Sequence, residues 1–218
     1  MIAPDFLLRR LAQSQRGVSA VEFALILPIF VGLMGAGIEI SSLMIANMKV
    51  QRLATMTADM VAQSGSSESR ISEAQIYDIL SAMDLAAQPL DIRGHGRVII
   101  SAVMGEDTRN GGEANVNRIK WQRFDGSYTA ASSVIGCWSS SDTTNVIGRQ
   151  LRLGEPLFHA QVSYVYQPIF NRAFVKWFNV PETITRTATY RGRGAIYRPP
   201  LDVENYPPKQ NCNTATGL

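Results

Sequence analysis

Hydrophobic residues are concentrated near the start of the chain. The stretch FALILPIFVGLMGAGI, from Phe23 to Ile38, contains no charged side chain. A helix that crosses a bilayer needs about 20 mostly apolar residues, each adding about 1.5 Å. With its weakly polar flanks, the stretch therefore predicts a membrane-spanning helix over 18–46.

Apolar periodicity continues beyond this span. One set of residues recurs at spacings of four and three, which places its members on one face of an amphipathic helix. The set is Ala46, Val50, Leu53, Thr57 and Met60. Arg52 and Asp59 fall on the opposite face. We therefore expect one helix from about Ser19 to Gln63, with 47–63 extending outside the membrane. A span followed by a separate short helix is the alternative.

The remainder, 64–218, has the pattern of a mixed helix and sheet domain. Ser72 with Gln75 three residues later is a capping box that predicts a second, short helix. Stretches of strand-like alternation follow, starting at Arg97, Arg118, Phe158 and Thr183. A small antiparallel sheet packed against the long helix would bury their apolar faces, so the predicted fold class is α+β.

In two of the predicted strands, the alternation of apolar and polar residues predicts which side chains share a face of the sheet. In the strand from Arg118, Ile119 and Trp121 alternate and should share a face, while Phe124 is out of phase. In the strand from Phe158, the residues Val162, Tyr164 and Tyr166 should share a face.

The charged residues before the span predict the orientation of the chain in the membrane. Arg9, Arg10 and Arg16 precede the span, against a single Asp5. By the positive-inside rule the N-terminus is cytoplasmic and the 64–218 domain lies outside the membrane. The net charge of +3 is too small, and its arginines too scattered, to indicate nucleic-acid binding.

Two cysteines and two histidines limit the chemistry of the chain. Cys137 and Cys212 do not have the spacing of a zinc site. Outside the cytoplasm we expect them to form a disulfide that holds the Pro-rich tail, 199–208. His95 and His159 are expected to be structural, and no catalytic or nucleotide-binding motif occurs. We therefore expect no enzyme, no cofactor and no metal.

The segment RGVSAVEF, at the start of the span, has the arrangement of a leader junction. A basic leader, 1–17, would end at Gly17, and a peptidase cut before Val18 would create a new amine. Glu22 lies one helical turn from that amine and could pair with the amine of a neighbouring subunit. A secretory signal peptide and a plain signal anchor, with incidental glutamates, are the two alternatives.

Two further residues of the span need an explanation. A carboxylate within a span is costly, so Glu39 is interpreted as a secondary intramembrane carboxylate. It is expected near the outer interface, within reach of water. Pro28 removes one helical hydrogen bond and predicts a kink.

The stretch RGVSAVEFALILPIFVGLMGAGIE resembles the N-terminus of TadE-like pseudopilins of the tight-adherence (Flp, type IVc) pilus system. The similarity runs from Arg16 to Thr57. It is carried by Arg16, Gly17, the Ala20–Ala24 run, Pro28 and Glu39. TadF-type pseudopilins and the larger TadG-type proteins share this N-terminus. The length of 218 residues disfavours TadG and leaves TadE and TadF open.

The resemblance implies a pilin-like fold and a role in pilus assembly at the bacterial inner membrane. It implies cleavage after Gly17 by the prepilin peptidase of the system. The implied partners are the major Flp-type pilin, other pseudopilins and the Tad inner-membrane platform. The hypothesis is a minor pilin or pseudopilin with a periplasmic C-terminal domain, and whether it enters the fibre is left open. The alternative is an unprocessed, signal-anchored periplasmic scaffold or binding domain.

Overall fold

The computed structural model describes residues 17–64, 70–138, 143–144, 146, 148, 150–170, 181–192 and 197–218. Residues 1–16 of the predicted leader lie outside these ranges. The helices are α1 (Val18–Ser64), α2 (Glu73–Ala87) and α3 (Ile92–His95). The strands are β1 (Gly96–Glu106), β2 (Val116–Asp125), β3 (Pro156–Val165) and β4 (Thr183–Arg191). This arrangement confirms the predicted α+β class.

Helix α1 is continuous from the apolar stretch into the domain. Its 47 residues include Pro28 without interruption, so the alternative of two separate helices is wrong. The half beyond the apolar stretch is buried along the predicted stripe, which includes Val50, Leu53 and Thr57. Packing against the domain therefore stabilises a helix whose first half is solvent-exposed in the isolated chain.

Helix α2 begins at the predicted capping box. The Ser72 hydroxyl accepts from the backbone N–H of Gln75 at 3.2 Å, and the Gln75 side chain accepts from the backbone N–H of Ser72 at 2.9 Å. The pair satisfies two N–H groups that a helix start leaves free. The buried residues Ile76, Leu80 and Met83 then face the core.

The four strands form one antiparallel sheet in the order β2-β1-β3-β4. One sheet face packs against α1 and α2, and Val162, Tyr164 and Tyr166 join that core as predicted. The predicted common face of Ile119 and Trp121 is wrong. Between them β2 has an irregularity, since Ala102 pairs with Trp121 but Val103 pairs with Ile119. The extra residue reverses the alternation, and the two side chains belong to different cores.

The second face of the sheet is covered by irregular chain. Gln122 and Gln161 donate to the backbone carbonyls of Gly136 and Ser132, at 2.8 and 2.9 Å. The C-terminal tail is held there by Arg97, whose guanidinium donates to the carbonyl of Cys212 at 2.7 Å. Loops without regular structure are thus fixed by buried polar side chains of the sheet.

Candidate membrane and assembly site

The apolar half of α1 is exposed to solvent in the isolated chain. Among the described residues, α1 is the one helix long and apolar enough to cross a membrane, and 6% of its most apolar window is buried. A core helix of a soluble protein would be largely buried. Since this helix leads into a folded domain, the chain fits a single-pass membrane anchor followed by a soluble C-terminal domain.

The predicted processing residues lie at the first turn of α1. The α-helix begins at Val18, directly after Gly17. A Cβ atom added at Gly17 would meet nothing within 4 Å, and Val18 is 52% exposed. The bond between the two residues therefore has open space around it. Cleavage at this bond stays a prediction.

Glu22 lies one turn into the helix and is exposed. Within the described part of the chain, no hydrogen bond or ion pair to Glu22 is found. It lies among exposed apolar side chains such as Val21 and Phe23. A carboxylate in this setting would have to find its partner outside the described residues. Its role in assembly stays a prediction.

Pro28 lies within the continuous helix. Its ring nitrogen has no hydrogen to donate to the carbonyl four residues earlier. The predicted kink stays a prediction.

Glu39 has a different environment from the one expected. It is 2% exposed, so the expectation that water reaches it is wrong. The Tyr166 hydroxyl donates to its Oε1 at 2.7 Å. The backbone N–H groups of Ile169 and Phe170 donate to its Oε2, each at 3.2 Å. The chain that follows β3 thus covers the carboxylate and provides three donors.

The pKa of Tyr166 agrees with its role as the hydrogen-bond donor to Glu39. Burial, followed by the hydrogen bond to Glu39, raises the pKa of the Tyr166 hydroxyl above its ordinary value. Tyr166 therefore stays protonated at physiological pH. The Glu39 contact joins α1 to the domain close to the apolar half of the helix. The predicted end of the span at residue 46 is untested, but the domain already contacts the helix at Gly35 and Glu39.

The partner of Glu39 could not be predicted from the sequence. Tyr166 was predicted from alternation as a core residue, and nothing local distinguishes a core tyrosine from one that donates to a carboxylate 127 residues away. A glutamate in an apolar stretch was itself the available signal, because a buried carboxylate requires donors.

The disulfide joins Cys137 to Cys212. The bond is the one expected from the sequence, and it attaches the C-terminal tail to the loop over the second sheet face. The tail is also bound to α2, since the Tyr77 hydroxyl donates to the Pro207 carbonyl at 2.7 Å. Within the described residues, no cluster of three His, Cys, Asp or Glu side chains could hold a metal ion.

The similarity of this chain to a known protein family lies in α1. Residues 17–59 match the family model described as TadE-like protein. The match confirms the resemblance and covers about a fifth of the chain. It associates the chain with the tight-adherence pilus machinery in general. No curated protein and no solved structure matches.

Proposed function

We propose that this chain is a minor pilin or pseudopilin that takes part in assembly of a tight-adherence pilus at the bacterial inner membrane. The observation that carries the proposal is the start of α1. The helix begins at Val18, remains apolar and exposed, and carries one carboxylate, Glu22, one turn in. The TadE-like match over the same residues supports this assignment.

Processing would precede assembly. A prepilin peptidase cutting after Gly17 on the cytoplasmic side removes the basic leader and leaves an amine on Val18. The leader arginines keep this end in the cytoplasm by the positive-inside rule, with the folded domain in the periplasm.

Assembly would use the exposed apolar face of α1. A carboxylate in a span costs about 2.5–3.5 kcal/mol at the centre and less toward the ends. Pairing of Glu22 with the Val18 amine of a neighbour would offset this cost only when subunits are in register. The proposed neighbours are the major Flp-type pilin and other pseudopilins, held by the inner-membrane platform.

The first experiment measures processing. Co-expression with the matching prepilin peptidase should shorten the chain between Gly17 and Val18, detected by intact mass of the membrane-extracted protein. Gly17→Ala should slow the cut, and the open space at Gly17 means that this change leaves the fold intact. An N-terminus at Met1 or Ile2 in piliated cells contradicts the proposal and favours an unprocessed, signal-anchored scaffold.

The second experiment measures assembly. In cells lacking the wild-type copy, Glu22→Leu should insert into the membrane and still lose surface piliation. Ser19→Leu, a matched control on the same exposed turn, adds an apolar side chain and keeps the carboxylate. Normal piliation with Glu22→Leu would show that the carboxylate has no part in assembly.

A further inference from the structure

The chain that leaves β3 returns to the apolar half of α1. We define residues 166–170 as the 166–170 turn. We propose that this turn enters the outer surface of the lipid bilayer, with Ile169 and Phe170 in contact with lipid and Glu39 satisfying the polar groups of the turn. The proposal requires that α1 spans a membrane, and it is independent of leader cleavage and of pilus assembly.

The apolar surface of the turn is continuous with that of the helix. Two atoms of the Phe170 ring lie 3.7 and 3.8 Å from the position that a Cβ on Gly35 would occupy. Phe170 is nevertheless 40% exposed, and Ile169 is 63% exposed. The nearby helix residues Met34 and Ile38 are exposed by about half. Lipid that surrounds the helix at this level would therefore also meet the turn.

The position along the helix matches the thickness of a bilayer. From Val18 to Glu39 the helix rises roughly 30 Å at about 1.5 Å per residue. The hydrocarbon core of a bilayer is about 30 Å thick. A span that begins at Val18 thus reaches the opposite surface at the level of Glu39, which is where the turn contacts the helix.

Two backbone N–H groups of the turn have the protein acceptor that entry into lipid requires. Irregular backbone at membrane depth is stable only where its N–H and C=O groups are satisfied by protein or by water. Glu39 Oε2 accepts from the N–H groups of both Ile169 and Phe170. The same carboxylate takes the Tyr166 hydroxyl on Oε1. A turn facing water would not need an intramolecular acceptor for these groups.

A protein partner is a weaker explanation for this surface. A stable protein interface buries about 800 Å² on each partner, contributed by about 20–30 residues. Among the described residues, the turn adds only Ile169 and Phe170 to the apolar surface of the helix, too few for an interface of its own. Lipid contact requires no such area, because the patch only extends an apolar surface that the span already presents.

The test uses the full chain in vesicles of phosphatidylethanolamine and phosphatidylglycerol. A photoreactive benzoylphenylalanine is placed at Ile169. The positive control is Phe30, which is 56% exposed within the apolar helix, and the negative control is Val134, which is 68% exposed on the loop over the second sheet face. We expect lipid adducts at Ile169 at a yield comparable to Phe30 and clearly above Val134. A yield at Ile169 equal to that at Val134, or adducts with protein in place of lipid, overturns the proposal.

A second arm tests the contribution of Glu39. With the probe at Ile169, Glu39→Leu should lower the lipid adduct yield, because the N–H groups of the turn lose their acceptor and the turn leaves the bilayer. An intact Cys137–Cys212 disulfide and an unchanged urea midpoint of intrinsic tryptophan fluorescence show that the domain stays folded. An unchanged adduct yield in the folded Glu39→Leu variant overturns the assigned role of Glu39.

Discussion

The ion pair between Glu73 and Arg123 provides a quantitative test of how α2 is fixed to the sheet. Glu73 is the first residue of α2, and Arg123 lies on β2. Arg123 Nε donates to Glu73 Oε1 and Oε2, at 3.1 and 3.0 Å, and Nη2 donates to Oε1 as well. The side chain of Arg123 is 7% exposed, and that of Glu73 is 0% exposed. The change to test is Glu73→Leu.

The expected cost follows from burial. Removing one partner of a buried pair leaves the other charge without compensation, which destabilises by about 3–5 kcal/mol. Arg123 would keep one hydrogen bond, from Nη1 to the Gln122 carbonyl at 2.7 Å, and its contact with the Trp121 ring. These contacts do not neutralise the charge. For a chain of this size, the loss corresponds to a fall of roughly 6–20 °C in Tm.

The double variant separates the charge from the packing. In Glu73→Leu combined with Arg123→Met, no buried charge remains, and replacing a buried pair by apolar side chains of similar volume is often close to neutral. We therefore expect most of the lost stability to return. This recovery would distinguish an uncompensated charge from simple loss of contacts.

The assay is urea unfolding of the full chain in detergent micelles, followed by intrinsic tryptophan fluorescence. Trp121 contributes to the folding signal because it is 4% exposed within the main hydrophobic core. The control is Asp84→Asn, since Asp84 and Arg93 are 36% and 52% exposed and 4.0 Å apart. An exposed pair of this kind contributes about 0–1 kcal/mol. If Glu73→Leu costs no more than Asp84→Asn, the reasoning from burial is wrong.

Three further outcomes test other parts of the domain. Burial lowers the pKa of His159 to about 4, so the unfolded chain binds more protons below about pH 6.5. The contribution of neutral His159 to the free energy of unfolding should be fully present above pH 6.5 and should be lost, by up to about 3 kcal/mol, as the pH falls toward 4. His159→Gln should remove this part of the pH dependence of the urea midpoint. His95→Gln should leave it in place. Replacing Cys137 and Cys212 by serine should cost on the order of 4 kcal/mol by loop entropy, and non-reducing peptide mapping should find the wild-type peptides joined. Arg97→Met removes the donor to the Cys212 carbonyl and should cost on the order of 3 kcal/mol, with faster proteolysis of the C-terminal tail as the second measurement.

Local patterns were sufficient for the elements of the fold. The α1 stripe, the Ser72 capping box and the four strands all depend on residues close in sequence, and each was predicted from spacing alone. The error at Ile119 and Trp121 has a local cause with no clear sequence signal, because one extra residue in β2 changes the register without any proline or glycine to mark it.

The contacts between elements could not be predicted in the same way. Glu73 and Arg123 are separated by 50 residues, and Glu39 and Tyr166 by 127. Glu73, Arg123 and Tyr166 look like ordinary helix or strand residues in their own segments, and the apolar surroundings of Glu39 indicate that it needs donors without indicating which ones. Their pairing depends on the order of the strands and on where β3 ends, which the alternation of single strands does not specify. The short helix α3 was not predicted either, since four residues are too few for a periodic pattern.

The two glutamates of α1 have different environments, which the sequence pattern did not distinguish. Both Glu22 and Glu39 lie next to apolar residues, and each requires a partner for its charge. Glu39 has three donors from its own chain, so its charge is compensated when a single copy folds. For Glu22, no partner is found in the described residues, and the proposed function assigns it the Val18 amine of another subunit. A change at Glu39 is therefore expected to alter the position of the domain on its helix in an isolated copy, whereas a change at Glu22 is expected to have an effect only when copies assemble.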